Sequence, residues 1–143
     1  MSTHQQLLYH IVFSTKGRRA LLQNEKFREE VFAYLAATAK NLGGFPIIVG
    51  GFIDHVHLLV RIPAKGSVSH FVGQAKANTS KNFSGVYWQD GFGAFTVSPS
   101  VKESVYNYIA NQSRHHAKKS FEDEYLLLLE KHEVEFDRKY VFD

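Results

Sequence analysis

The residues of this chain best suited to chemistry are two histidines two positions apart, in Asp54-His55-Val56-His57-Leu58-Leu59-Val60. Side chains alternate along a β-strand, so Val56, Leu58 and Val60 can point into a core while His55, His57, Leu59 and Arg61 share the opposite face. Neutral imidazole is a good ligand for a divalent transition metal, and two of them on one face of a stiff strand make half a coordination shell with little entropy left to lose. An isolated His-x-His is more often a solvent-facing pair on an amphipathic strand. A metal site needs a third ligand from elsewhere.

Tyr108 and Gln112 offer one. They stand four residues apart on a stripe with Val101, Val105 and Ile109 that is otherwise apolar. Taken alone they are a core aromatic with its hydroxyl at the rim and a boundary amide. Taken with His55 and His57, Gln112 becomes a third neutral ligand and Tyr108 a nucleophile beside the metal. Tyr106 lies roughly 200° around the same helix from Tyr108, on the other side.

The elements that must position these residues follow from periodicity. Residues 5–15 alternate, with Leu7, Tyr9, Ile11 and Phe13 on one face and Gln6, Leu8, His10 and Ser14 on the other, which predicts a first strand. Asn24 caps a helix carrying Phe27, Val31, Tyr34, Leu35, Thr38 and Leu42, stopped by Gly43-Gly44. Phe45 to Gly51 reads as a second strand, with a bulge or bend expected at Gly50-Gly51, and a turn at Ile53-Asp54 makes a hairpin with the histidine strand. Ser67 caps a second helix with Val68, Phe71, Val72 and Ala75 inward and Lys76 on or near its polar side. An aromatic, glycine-rich loop, Tyr87 to Phe92, then feeds a short strand from about Ala94 to Val97; Trp88 is read as closing the core, although exposed aromatics there would suit stacking on unpaired bases. Ser98-Pro99-Ser100 starts the tyrosine helix, and Ser120 starts a fourth helix whose acids, Glu122, Asp123 and Glu124, favour its N-terminus. Phe136, Tyr140 and Phe142 are expected to dock the tail.

The order β-α-β-β-α-β followed by two helices is that of an α+β, ferredoxin-like (RRM-like) antiparallel sheet with helices on one face. Its other face is expected to lie free for a ligand or partner. At 143 residues, 44% hydrophobic and 22% charged, the chain reads as a single globular domain, 1–143. The absence of cysteine excludes disulfides and thiolate metal sites. With no secretory leader and no bilayer-length apolar run, the chain is expected to be soluble and cytoplasmic, without a membrane partner. A net charge of +3 permits a polyanionic partner. Candidate phosphate contacts are Lys16, Arg18 and Arg19 around Gly17, Lys76, and Arg114, Lys118 and Lys119; a solvated basic surface is the competing reading of these residues.

Four blocks carry a resemblance. They are His10 within Tyr-His-Ile-Val-Phe-Ser-Thr-Lys, Asp54 to Val60, Trp88-Gln89-Asp90-Gly91-Phe92-Gly93-Ala94-Phe95, and Tyr108-Ile109-Ala110-Asn111-Gln112. In this order and at these intervals they resemble the single-tyrosine HUH transposases, including REP-associated tyrosine transposases. The resemblance implies a metal-dependent enzyme that nicks and joins single-stranded DNA with hairpin ends, His55, His57 and Gln112 holding Mg²⁺ or Mn²⁺ and Tyr108 forming a 5′-phosphotyrosine. Members of this family are often homodimers in which the tyrosine of one copy serves the histidines of the other, whereas REP-associated members can be monomers; a homodimer is the expectation for this chain. Ile53 departs from the proline common before Asp-His in relatives, and Tyr106 is a second tyrosine on the helix. Two other classes compete with this reading. One is a non-catalytic single-strand-binding module, which would need no metal; the other is a phosphoesterase that activates water, which would form no covalent adduct.

Overall fold

A computed structural model describes residues 1–143. Its four strands are β1 (Leu8–Ser14), β2 (Phe45–Gly51), β3 (His55–Arg61) and β4 (Gly93–Thr96). They form one antiparallel sheet in the order β2-β3-β1-β4, the ferredoxin-like arrangement. Helices α1 (Glu25–Asn41) and α2 (Val68–Asn82) fill the two crossovers. Each begins as its sequence dictates: the Asn24 side chain accepts from the Phe27 N–H, and Ser67 Oγ accepts from the His70 N–H.

Strand alternation divides the core. Ile11, Phe13, Val56, Leu58 and Val60 pack beneath α1 and α2 against Val31, Leu35, Ala39, Phe71, Val72 and Ala75, in a cluster of 14 buried residues. Trp88 joins it edge-on to Phe13, with ring centroids 4.9 Å apart, so the 87–92 loop does close the core.

The opposite face departs from expectation. Instead of lying free, it is covered by α3 (Lys102–Ala110), α4 (Gln112–His115) and α5 (Phe121–Lys131). This covering leaves both His55 and His57 with no exposed surface. The reason is that the outward residues of β1, β3 and β4 are themselves largely apolar. Leu8, Leu59 and Val97 pack on Ile109, and Val12 and Phe95 on Phe121, Leu128 and Leu129. Phe136 and Phe142 dock on the second cluster, whereas Tyr140 stays exposed.

Two local details differ as well. The tyrosine helix is not continuous to Gln112: it breaks at Asn111 (φ −104°, ψ 20°), and Gln112 opens α4. The irregularity of β2 falls between Pro46 and Ile48, where Pro cannot donate to the ladder, rather than at Gly50. Gly50 marks a close approach instead, because a Cβ there would stand 2.7 Å from the Ile109 carbonyl oxygen. The α3 backbone thus crosses β2 where only glycine fits.

Candidate active site and metal centre

β3 presents His55 and His57 on one face, as its alternation requires, and α3, α4 and α5 close over them. Gln112 Oε1 lies 2.9 Å from His55 Nε2. Tyr108 stands edge-on to His57, with centroids 5.7 Å apart. The four residues singled out in the sequence are therefore brought together within one chain. A tyrosine supplied by a second copy is not needed to assemble the cluster. Tyr106 is exposed, on the outer side of α3.

At the centre is a residue read from the sequence as a helix-dipole acid. Glu124, 2% exposed, accepts a hydrogen bond from the Tyr108 hydroxyl through Oε2 and another from Gln112 Nε2 at 3.0 Å. Its Oε1 lies 3.1 Å from His57 Nε2 and 3.0 Å from His116 Nε2. His116 stands in a cationic run of the sequence, yet its Nε2 is also 2.9 Å from Gln112 Oε1. A signal for both is present. Glu124 sits three residues after Phe121 and four before Leu128, on the buried stripe of α5, and His116 is four residues after Gln112.

The electrostatics are those of a crowded buried cluster. Burial opposes the charge on Glu124, but hydrogen bonds from His116 and His57 outweigh it and hold the carboxyl far below its ordinary range. Burial, together with the hydrogen bond and charge of Glu124, pushes the Tyr108 phenol well above its usual value. Burial lowers His57 to about 4, against the pull of Glu124. Burial and the neighbouring His57 put His10 well below its ordinary value; its Nε2 lies 2.7 Å from His57 Nδ1. His116 moves upward, since the hydrogen bond and charge of Glu124 overcome its burial.

His55, His57, His116 and Glu124 offer ligand atoms all within 4.8 Å of one another. Donors on opposite sides of an ion with bonds near 2.0–2.1 Å stand about 4.1 Å apart, so the residues present fit a small divalent cation after a contraction of at most about 0.7 Å.

The basic residues fall into three situations. Lys16, Arg19, Arg114 and Lys118 are exposed. Arg18 is held over the Phe142 ring and near Glu122, and with Lys119 and His116 it lines an open cavity of ≈430 Å³ beside the cluster. Lys76 has a different task from the one expected: its ammonium donates to the carbonyls of Gln89 and Gly91 over the Phe13 ring, so it ties α2 to the 87–92 loop. On the other side of the cluster, Tyr108 and His10 face a pocket of ≈240 Å³ with Ser104, Lys131 and His132.

Known proteins resemble this chain in sequence and in fold. The family described as "Transposase IS200 like" matches residues 3–112. The transposases for insertion sequence element IS200 of Salmonella typhimurium and Salmonella typhi are each 30% identical over 116 residues, covering 73% of this chain and 75% of theirs. Two solved structures share the fold. A candidate transposase of Deinococcus radiodurans has a TM-score of 0.59 at 22% identity, covering 78% of this chain and 95% of that one. A REP-associated tyrosine transposase bound to a REP hairpin has a TM-score of 0.56 at 11% identity, covering 82% and 74%. No helix here is long and apolar enough to cross a membrane. With more than two thirds of its length matched, from β1 through the tyrosine helix to Gln112, this chain belongs to the IS200-like transposases, enzymes of DNA transposition.

Proposed function

We propose that this transposase nicks and rejoins single-stranded DNA with hairpin ends, using Tyr108 as nucleophile and a divalent metal, Mg²⁺ or Mn²⁺, at His55, His57 and Gln112. The observation that carries the reading is the meeting of the Tyr108 hydroxyl and the strand histidines at one buried carboxylate. The hairpin bound by the REP-associated structure makes a hairpin-flanked strand the substrate to try first.

In this mechanism the Tyr108 oxygen attacks the scissile phosphorus and the bond from phosphorus to the 3′-oxygen breaks. The phenol proton leaves to solvent as the bond forms, Glu124 orienting the hydroxyl through the hydrogen bond it accepts, and the departing 3′-oxygen takes a proton from solvent. The product is a 5′-phosphotyrosine and a free 3′-hydroxyl. Because the phosphotyrosine keeps the phosphodiester bond energy, a 3′-hydroxyl can reverse the step and join strands without ATP. A divalent cation at His55, His57 and Gln112 would supply positive charge against the non-bridging phosphate oxygens. Lys16, Arg19, Arg114 and Lys118 would hold the flanking backbone, sequence-independently.

The test is adduct formation on a labelled hairpin-flanked strand. Wild type should give a covalent protein–DNA species that chelator prevents, and Tyr108→Phe should give none while binding DNA within a few-fold of wild type. An adduct that survives Tyr108→Phe but is lost in Tyr106→Phe would move the role. The helix break at Asn111 also leaves room for a homodimer that exchanges tyrosine helices with the same contacts made between copies. Mixed His55→Ala and Tyr108→Phe proteins decide this: cleavage by the mixture alone means exchange, and none means attack within one chain.

A further inference from the structure

The imidazole tautomers set up a conflict that protons alone resolve poorly. His55 Nδ1 lies 2.8 Å from Asp54 Oδ1, and His116 Nδ1 lies against the Lys119 carbonyl at 2.6 Å. Both partners only accept, so each Nδ1 carries the hydrogen; a second proton on Nε2 lets His116 donate to Glu124, and whenever the rings are neutral each turns the lone pair of its Nε2 into the cluster. Those lone pairs face acceptors again: Gln112 Oε1 at 2.9 Å from each, and Glu124 Oε1 at 3.5 Å from His55 and 3.0 Å from His116. The Gln112 amide is oriented by its NH₂, which donates to Glu124 Oε2 at 3.0 Å. His57 can join the same pattern by donating Nδ1–H to His10 Nε2, 2.7 Å away. Three imidazoles whose outer nitrogens are engaged by a carboxylate, a carbonyl and a second ring are oriented as metal-ligating histidines are.

We infer that the metal centre proposed above is completed by His116 and Glu124, giving a set of three imidazoles, one carboxylate and one amide oxygen. The inference rests on that reading of His55, His57 and Gln112 as ligands. Both additional donors lie beyond residue 112, where the family match ends. Three nitrogens tilt selectivity away from Mg²⁺, which favours oxygen and water, toward Mn²⁺ and the later transition metals. Five donors leave one position of a six-coordinate ion for a phosphate oxygen. Glu124 would then touch both the ion and the Tyr108 hydroxyl.

The experiment is Co²⁺ and Mn²⁺ binding to the full chain, followed by calorimetry and by the Co²⁺ ligand-field absorption, with melting of the metal-free variants as the folding control. Glu124→Gln and His116→Ala should each weaken binding tenfold or more and alter the Co²⁺ band, and free imidazole should restore both in His116→Ala. In Co²⁺-loaded wild type, proton NMR should show three shifted imidazole N–H signals, a readout that needs no variant to fold. Two such signals, or wild-type affinity and band in Glu124→Gln and His116→Ala with both abolished in His55→Ala, would overturn the inference and leave the three-ligand reading standing. No metal binding by wild type would overturn both.

Discussion

The Tyr108 hydroxyl donates to the Glu124 carboxylate from a neighbouring helix, so the candidate nucleophile of the metal-free protein is held as a phenol by a group that prefers it protonated. Burial is the larger cause and the carboxylate the second. Because the folded pKa is raised, the stability it contributes is complete below the unfolded tyrosine value near 10 and is lost as pH rises beyond that. In a spectrophotometric titration of metal-free protein, the difference between wild type and Tyr108→Phe should show no phenolate from Tyr108 up to alkaline unfolding. Glu124→Gln should bring that ionisation down, though still above 10. Normal titration of Tyr108 in wild type would contradict this hydrogen bond.

Acid should loosen the protein through its histidines. His57 is lowered to about 4 and His10 well below its ordinary value, chiefly by burial. The unfolded chain therefore binds more protons than the folded one below about 6.5, and the stability contributed above that value is lost as pH falls toward 4. The urea midpoint of metal-free protein should drop between pH 7 and pH 5, and His10→Gln should flatten that drop. An unchanged midpoint over this range would mean that these rings take up protons in the folded chain as they do in the unfolded one.

Gly50→Ala tests whether the strand edge sets the nucleophile. The added Cβ would meet the Ile109 carbonyl at 2.7 Å and its Cγ2 at 2.8 Å, so α3 must move, and Tyr108 precedes Ile109. Overpacking of this kind costs about 1–3 kcal/mol. The expected signature is a modest loss in melting temperature with adduct formation reduced at least a hundredfold, since an ångström of misplacement is enough for that. Equal, small losses in both would show that α3 adapts.

The lysines should separate by role. Lys76→Met should destabilise the fold by about 1–2 kcal/mol, because nothing then bonds the Gln89 and Gly91 carbonyls or stands as a cation over the Phe13 ring, while the salt dependence of DNA binding stays unchanged. Replacing Lys16, Arg19, Arg114 or Lys118 should do the reverse, lowering the slope of log affinity against log salt by about 0.7 for each phosphate deprived of its cation. A shallower slope in Lys76→Met would return that residue to the DNA surface.

Strand and helix assignments through α2 were legible because two periods, 2 for β1 and β3 and 3.6 for α1 and α2, coincide with explicit caps at Asn24 and Ser67. His55, His57, Gln112 and Tyr108 were legible as a group because each spacing fixes a shared face before any tertiary contact forms. Glu124 and His116 were not. An acid in the first turn of a helix already has a sufficient local explanation, and Glu122 and Asp123 beside it satisfy that explanation equally well. Only the packing of Phe121 and Leu128 onto β1 and β4 decides that the third acid, not the first two, turns inward. The covered second face was missed for a related reason: Leu8 and Leu59 were assigned to a side, but what would bury them lay more than forty residues further along the chain.

The two faces of the sheet are fastened unequally. Fourteen buried residues hold α1 and α2, whereas the layer over the histidines stands on two separate clusters of four and five, with the polar site between them. In the language of hydrogen exchange, α3 and α5 should form a unit that opens at a free energy below that of global unfolding, while β1, β3 and α1 should exchange only when the whole chain unfolds. Opening of that unit would uncover the histidine pair while leaving the histidine strand in register beneath it.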